Sequence, residues 1–143
     1  MARPKPSILV SPDARFEVLE IRRLRGHEQI RRALLKELTE RIQRDGYIKR
    51  PILVADRHFV ILDGHHRVEA LRALGCNRIP AYVVDYFSAI VNLGTWPDAV
   101  VATVTKDEVI RRGLRDDRFP PKTTRHTVRV ELEDRPTDLE DLV

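Results

Sequence analysis

Three short stretches of this sequence carry side chains able to do chemistry. The first is Asp63-Gly64-His65-His66-Arg67. Arg67 can grip phosphate oxygens through paired hydrogen bonds, and the two imidazoles can donate to them. Asp63 can hold Mg²⁺ or orient a histidine. The bland alternative makes Asp63 a helix N-cap and the histidines polar surface. Zinc is disfavoured, because adjacent histidines on a helix point apart and the Cys or His partners are missing. The second stretch is His27-Glu28, where a carboxylate on a loop at the start of a helix can serve as a general base or merely face the helix dipole. The third is Lys122-Thr123-Thr124-Arg125-His126, in which two cations, two hydroxyls and an imidazole make either a clamp for phosphate or carboxylate or a solvated basic loop. Trp96 can stack on a base, close a pocket, or simply pack.

The elements that must position these groups are read from periodicity and turn signals. Val60-Ile61-Leu62 reads as a short buried strand, Asp63-Gly64 as a sharp turn, and His65 onward as a helix that Gly75 ends. A helix start offers free N–H groups and partial positive charge, and cations placed there do nothing for helix stability, so the turn reads as an anion site. Phe16–Ile21 predicts a strand. Ile30, Leu34, Leu38 and Ile42 predict a helix over 29–44, stopped by Asp45-Gly46. Residues 51–55 and 59–62 predict a hairpin around Asp56-Arg57-His58. Residues 78–84 predict a further strand, with Pro80 placing it late or at an edge. Residues 86–104 show no clear period, and Trp96-Pro97 reads as loop. Thr105-Lys106-Asp107-Glu108 is a capping box for a short helix ended by Gly113. Residues 119–126 show neither period, and the alternation at 127–132 predicts a half-buried strand. Residues 1–15, rich in proline, are expected to be extended or loosely ordered, residues 16–132 to form the domain, and residues 133–143 to be a peripheral acidic tail.

Composition sets bounds on this reading. The 143 residues suffice for one domain with a core. No apolar run approaches a membrane span, and the Arg/Pro-rich start lacks the apolar segment of a signal peptide. A single cysteine, Cys76, excludes an internal disulfide and any multi-cysteine metal site, which fits a cytoplasmic protein. The net charge of +4 allows nucleic-acid binding, but 34% charged residues of both signs favours an ion-paired, solvated surface. Asn and Gln are scarce, as in many thermophile proteins.

The strand–DGHHR–helix unit, with the lead-in Gly46-Tyr47 and Arg50-Pro51-Ile52-Leu53-Val54, resembles the ParB/sulfiredoxin superfamily. Partition proteins of that superfamily usually carry a G-E-R-R type box at this place, and sulfiredoxins a G-G-C-H-R type; this chain has neither. Its box, together with His27-Glu28, Val84-Asp85-Tyr86-Phe87 and Phe119-Pro120-Pro121-Lys122-Thr123-Thr124-Arg125-His126, is similar to the free L-serine kinases of archaea and their bacterial siderophore-pathway relatives. The similarity runs from about Phe16 to His126.

The resemblance implies a single α/β domain, a small mixed sheet flanked by helices, that transfers a phosphoryl group from ADP or ATP to the hydroxyl of free L-serine. It implies Glu28 as general base, with Asp63 and His65 also catalytic and Mg²⁺ near Asp63. Gly64, His65, His66, Arg67 and Lys122 to His126 would hold nucleotide and phosphate, and Trp96, Thr124, Arg125 and His126 would hold serine. Kinases of this type carry additional residues outside this core, so a homodimer is one way to complete the pocket. The rival expectation is a ParB-like nucleotide-binding or DNA-associated regulator, which would normally add a helix-turn-helix module that finds no room after His126. Cys76 lies beyond the helix and outside the anion turn, which sets sulfiredoxin chemistry aside.

Overall fold

Two segments of unbroken apolar sequence form the centre of the molecule. Ile52-Leu53-Val54-Ala55 makes a strand, β4 in chain order, and Arg78–Val84 makes β6; every residue of both except Arg78 is buried. Such runs are what a strand covered on both faces requires. Because side chains alternate across a strand, Ile52, Val54, Ile79, Ala81 and Val83 fall into one apolar cluster while Leu53, Ala55, Tyr82 and Val84 fall into the other. Burying one such aliphatic side chain is worth about 1.5–3 kcal/mol, so the two central strands hold both layers together.

The computed structural model describes residues 8–99, 101 and 103–143. The remaining elements are β1 (Ile8–Ser11), β2 (Ala14–Glu20), α1 (Arg32–Asp45), β3 (Tyr47–Ile48), β5 (Ile61–Asp63), α2 (His65–Ala73), β7 (Val91–Thr95), α3 (Lys106–Arg115), β8 (Thr124–Val128) and β9 (Thr137–Asp138). The main sheet has the order β1-β2-β6-β4-β5. It is mixed: β6 runs parallel to β4 and antiparallel to β2, and β5 runs antiparallel to β4. α1 and α2 supply Ile42, Val68 and Leu71 to one cluster, and α3 supplies Val109 and Ile110 to the other. This is the single α/β domain, a small mixed sheet flanked by helices, that the resemblance implied.

Several local expectations are corrected. Within the N-terminal stretch, residues 1–7 lie outside the described residues, while Ile8–Ser11 is an ordered strand paired with β2. α1 begins at Arg32 rather than at residue 29, because the preceding backbone is engaged elsewhere: Gln29 N donates to Phe119 O at 2.8 Å and Arg31 N donates to His66 Nε2 at 2.9 Å. Pro80 lies in a central strand, not at an edge. Pairing with β4 begins only at Ala81, so at Pro80 the strand has β2 as its one neighbour and the missing N–H leaves no gap in the β4 ladder.

Gly113 does not end α3. The helix continues to Arg115, and a Cβ at Gly113 would sit 2.7 Å from Val60 Cγ2, so the glycine lets helix and sheet approach closely. The strand expected at 127–132 is shifted toward the N-terminus, to Thr124–Val128, because its partner β7 starts at Val91, opposite Val128. β7 itself lies in the segment that showed no period.

The acidic tail is not peripheral. Thr137–Asp138 pairs with Tyr47–Ile48, Leu142 is fully buried, and its carbonyl accepts Asn77 N at 2.8 Å and Arg78 N at 3.0 Å. Net charge hid the two leucines, Leu139 and Leu142, that dock the segment on the α1–α2 cluster. No described helix is long and apolar enough to cross a membrane.

Candidate active site

The loop from Gly26 to Gln29 is tied down on two sides by its backbone. On one side Arg25 N donates to Phe59 O at 2.9 Å and Ile61 N donates to Arg25 O at 2.8 Å. On the other, Phe119 N donates to His27 O and Gln29 N to Phe119 O, both at 2.8 Å. The loop therefore sits between β5 and the segment that leads into β8, and it holds Glu28 where those two elements meet the start of α2.

Glu28 is buried, with 7% of its surface exposed. Its Oε1 accepts Thr123 N at 2.6 Å, and its Oε2 lies 3.0 Å from Thr124 Oγ1. Burial raises the carboxyl above its ordinary range, and the backbone and hydroxyl donors of 122–124 oppose that rise. A carboxylate tuned upward is better matched to taking a proton near neutral pH. The donors fix its orientation: Lys122 adopts a left-handed backbone (φ 60°), which turns the chain so that the N–H of Thr123 faces the carboxylate.

Behind Glu28 stand three histidines. His27 is fully buried; its Nδ1 lies 2.7 Å from Ile61 O and its Nε2 lies 2.8 Å from Thr124 Oγ1. His65, the first residue of α2, turns inward, accepts His27 N on its Nε2 at 3.1 Å, and packs edge-on to the His27 ring at 4.7 Å. His126 lies 5.8 Å from the His27 ring and meets the Tyr86 hydroxyl at 2.8 Å. Burial lowers all three imidazoles, His27 to about 4, His126 to about 3, and His65 well below its usual value. They are neutral at pH 7.

The strand-to-helix turn closes the site from the other side. Gly64 adopts φ 111°, and a Cβ there would collide with Ile52 Cγ2, so both backbone and space demand glycine. Gly64→Ala is expected to cost about 2–4 kcal/mol from backbone strain and overpacking together, read as a drop in the urea midpoint at unchanged slope. An unchanged midpoint would show that the turn relaxes freely. His66 points away from His65, as the spacing predicted, and accepts Arg31 N. Arg67 is turned back along the lead-in, where its Nη1 donates at 2.9 Å to the carbonyls of Arg50 and Pro51 and its Nη2 pairs with Asp63 at 3.3 Å.

These walls enclose an open cleft of about 570 Å³, lined among others by Glu28, Asp63, Gly64, His66, Lys122 and Thr124. His65, Arg67, Trp96, Arg125 and His126 also reach it. Of the residues singled out in the sequence, His27 and Thr123 do not line it: His27 is fully buried, and the Thr123 hydroxyl donates to Pro120 O at 2.6 Å while its backbone N–H serves the site. Trp96 donates its indole N–H to Thr124 O at 3.0 Å, and the Arg125 guanidinium stacks 4.7 Å above its ring, with Lys122 Nζ at 5.6 Å. The exposed cations thus stand at the mouth and the neutral histidines beneath the carboxylate.

Sequence reasoning passed over the side chain of His27, which it treated only as the neighbour of Glu28, and the strap made by Phe119. Adjacency of His and Glu was the available signal, but a dipeptide does not say which side chain faces the interior.

A mixed sheet whose edge strand turns through a glycine into a helix beside a cation-rimmed cleft is the architecture of a ParB/sulfiredoxin-like domain. Residues 12–91 match the ParB N-terminal domain, and the chain belongs to that family. In sequence it is 35% identical over 105 residues to an ATP-dependent L-serine kinase of Staphylothermus marinus and 33% identical over 101 residues to the ADP-dependent L-serine kinase SerK of Thermococcus kodakarensis. Each similarity covers 68% of this chain and 41% of the relative, so the chain spans less than half the length of these curated relatives. A ParB-like protein of Sulfolobus acidocaldarius is 37% identical over 100 residues, covering 70% of this chain and 48% of that protein. In fold, the chain is similar to a free serine kinase solved in complex with AMP, with a TM-score of 0.82, 20% identity and 98% of both chains covered.

Proposed function

We propose that this chain is a kinase that transfers a phosphoryl group from ADP or ATP to the hydroxyl of free L-serine, giving O-phospho-L-serine. The observation that carries the reading is the buried, donor-fixed carboxylate of Glu28 facing a helix start and a rim of cations across one cleft. The names of the relatives, serine kinases using ATP or ADP, agree with it.

Phosphoryl transfer asks the protein for positioning and charge neutralisation rather than for covalent chemistry. Glu28 takes the proton of the serine hydroxyl as that oxygen attacks the terminal phosphorus, whose bond to the bridging oxygen breaks. The free N–H groups at the start of α2 and the side chains of Lys122 and Arg125 receive phosphate oxygens. Arg67 acts mainly on the lead-in, holding the Arg50-Pro51 backbone against the turn. Trp96 and Arg125 form the wall against which the amino acid is held, with the guanidinium available to its carboxylate.

Mg²⁺ fits the residues present. Asp63 is exposed at the strand end beside the helix start, and Mg²⁺ is commonly held by one or two carboxylates together with nucleotide phosphates and water. Among the described residues no group of three His, Cys, Asp or Glu side chains forms a metal cage by itself, so the nucleotide would supply the other ligands. When bound there, the ion neutralises charge on the phosphates.

The test is direct. Purified protein with Mg²⁺ and L-serine, given ADP or ATP in parallel, should yield O-phosphoserine together with AMP or ADP respectively. Absence of product with both nucleotides, from protein shown to be folded, would replace this reading with that of a nucleotide-binding regulatory domain.

A further inference from the structure

Thr124 Oγ1 stands between two acceptors and has only one hydrogen. It is 2.8 Å from His27 Nε2 and 3.0 Å from Glu28 Oε2. The other end of the His27 ring leaves no freedom, because Nδ1 lies 2.7 Å from the carbonyl of Ile61, which can only accept. Nδ1 therefore carries the ring hydrogen, and in the neutral ring Nε2 is an acceptor. An ionised Glu28 and a neutral His27 would then both claim the one threonine hydrogen. With a proton on Glu28 Oε2 every contact is matched: the carboxylic acid donates to Thr124 Oγ1, and the Thr124 hydroxyl donates to His27 Nε2.

We infer that Thr124 and His27 form a proton-responsive chain behind the base, in which the threonine hydroxyl turns from Glu28 to His27 when Glu28 takes up a proton. The chain thereby stabilises Glu28 in the protonated form that accepting a substrate proton creates. In that step the substrate O–H bond breaks, its electron pair stays on the attacking oxygen, and the proton bonds to Glu28 Oε2. Nothing further is transferred; the threonine hydrogen changes partner without leaving its oxygen. Thr124 and His27 are positioning residues, since neither exchanges a proton with substrate.

The surroundings suit this role. His27 is faced by His65 from α2, by His126 from β8, and by Arg118 from the segment before the Phe119 strap. Burial first, and then the Arg118 guanidinium, disfavour a charge on His27. Glu28 is faced by the backbone of Lys122 to Thr124. The direct His27 to Glu28 distance, 3.8 Å, is too long for a hydrogen bond, so Thr124 is the link.

The catalytic consequence rests on the kinase reading, but the chain itself is tested without turnover. In protein carrying ¹⁵N-histidine and ¹³C-glutamate, a pH titration by NMR should show His27 Nε2 moving in step with the Glu28 carboxyl. Thr124→Val, which keeps the shape and removes the hydroxyl, should leave His27 still through the Glu28 titration, and Thr124→Ser should restore the movement. His27 unmoved while Glu28 titrates in the wild-type protein would overturn the inference, as would movement that persists in Thr124→Val. In the serine-phosphorylation assay Thr124→Val should lower kcat about tenfold, the worth of one hydrogen bond, with the KM for serine little changed and Thr124→Ser near wild type. If wild-type protein makes no O-phosphoserine, the kinase reading fails, while the NMR spectra still decide whether the chain exists.

Discussion

Glu28→Gln should lower serine phosphorylation by about a hundred- to ten-thousand-fold, the usual worth of a general base, while nucleotide affinity stays within a few-fold of wild type. The substitution is a clean one because glutamine reproduces the hydrogen bonding of the protonated glutamate. Its oxygen can accept Thr123 N as Oε1 does, and its amide N–H can donate to Thr124 Oγ1. The loop and β8 should stay in place, so a loss of rate reports the missing base rather than a collapsed site. Glu28→Ala is the informative contrast. It leaves the buried N–H of Thr123 without a partner, at a cost of about 1–3 kcal/mol, and should lose stability as well as rate. Nucleotide binding by calorimetry beside a turnover assay separates the two. Full activity in Glu28→Gln would remove Glu28 from the mechanism.

Acidification should destabilise the protein steadily below pH 6.5, and the cause is the histidine cluster. His27, His65 and His126 are all held below the ordinary value of 6.5 by burial first, with His27 at about 4 and His126 at about 3. A group whose folded value is depressed in this way is neutral when folded and protonated when unfolded across the interval between the two values. Below pH 6.5 the unfolded chain therefore binds protons that the folded chain does not, and stability falls with pH. His27 and His126 each remove roughly 2 kcal/mol between neutrality and pH 5, and His65 acts in the same direction, a large share of the 5–15 kcal/mol that stabilises a typical domain. Glu28 works the other way, since its raised value favours the folded form once it protonates, but one carboxyl offsets only part of three imidazoles. Urea midpoints at pH 7.5, 6 and 5 should drop steadily, and a His126→Phe variant, which also loses the Tyr86 contact, should show a shallower dependence. A flat profile would mean that the imidazoles gain their protons in place.

What could be read from the sequence follows from how local each signal is. The Asp-Gly turn into a helix was legible because Gly64 must occupy a left-handed conformation and because the period changes there from two to three or four residues. The central strands were legible as apolar runs, and α1 and the capping box of α3 as helical spacing behind polar starts. β7 and the true limits of β8 were not, because each strand exists through the other: Val91–Thr95 alternates only when Thr124–Val128 pairs with it. Gly113 read as a stop because a glycine in isolation is one; its reason for being inside α3 is Val60, far away in sequence. The tail read as peripheral because charge dominates its composition, while what docks it is two leucines, Leu139 and Leu142, and a short strand pairing with Tyr47–Ile48.

The chemistry divides in the same way. By itself the sequence determined which groups are available: a carboxylate after a histidine, an anion-favouring helix start, and a cation- and hydroxyl-bearing segment, together with alternating strands and helices, whose mixed pairing only the family resemblance implied. Only the tertiary structure decided what those groups face. It turned His65 inward and His66 outward, spent the Thr123 hydroxyl on Pro120, directed Arg67 onto the Arg50-Pro51 backbone, and set Thr124 between His27 and Glu28. The physical reason is burial. A side chain's type is written in the chain, but its charge, tautomer and hydrogen-bond partner depend on which other segments exclude water from it, and those segments lie as many as 97 residues away.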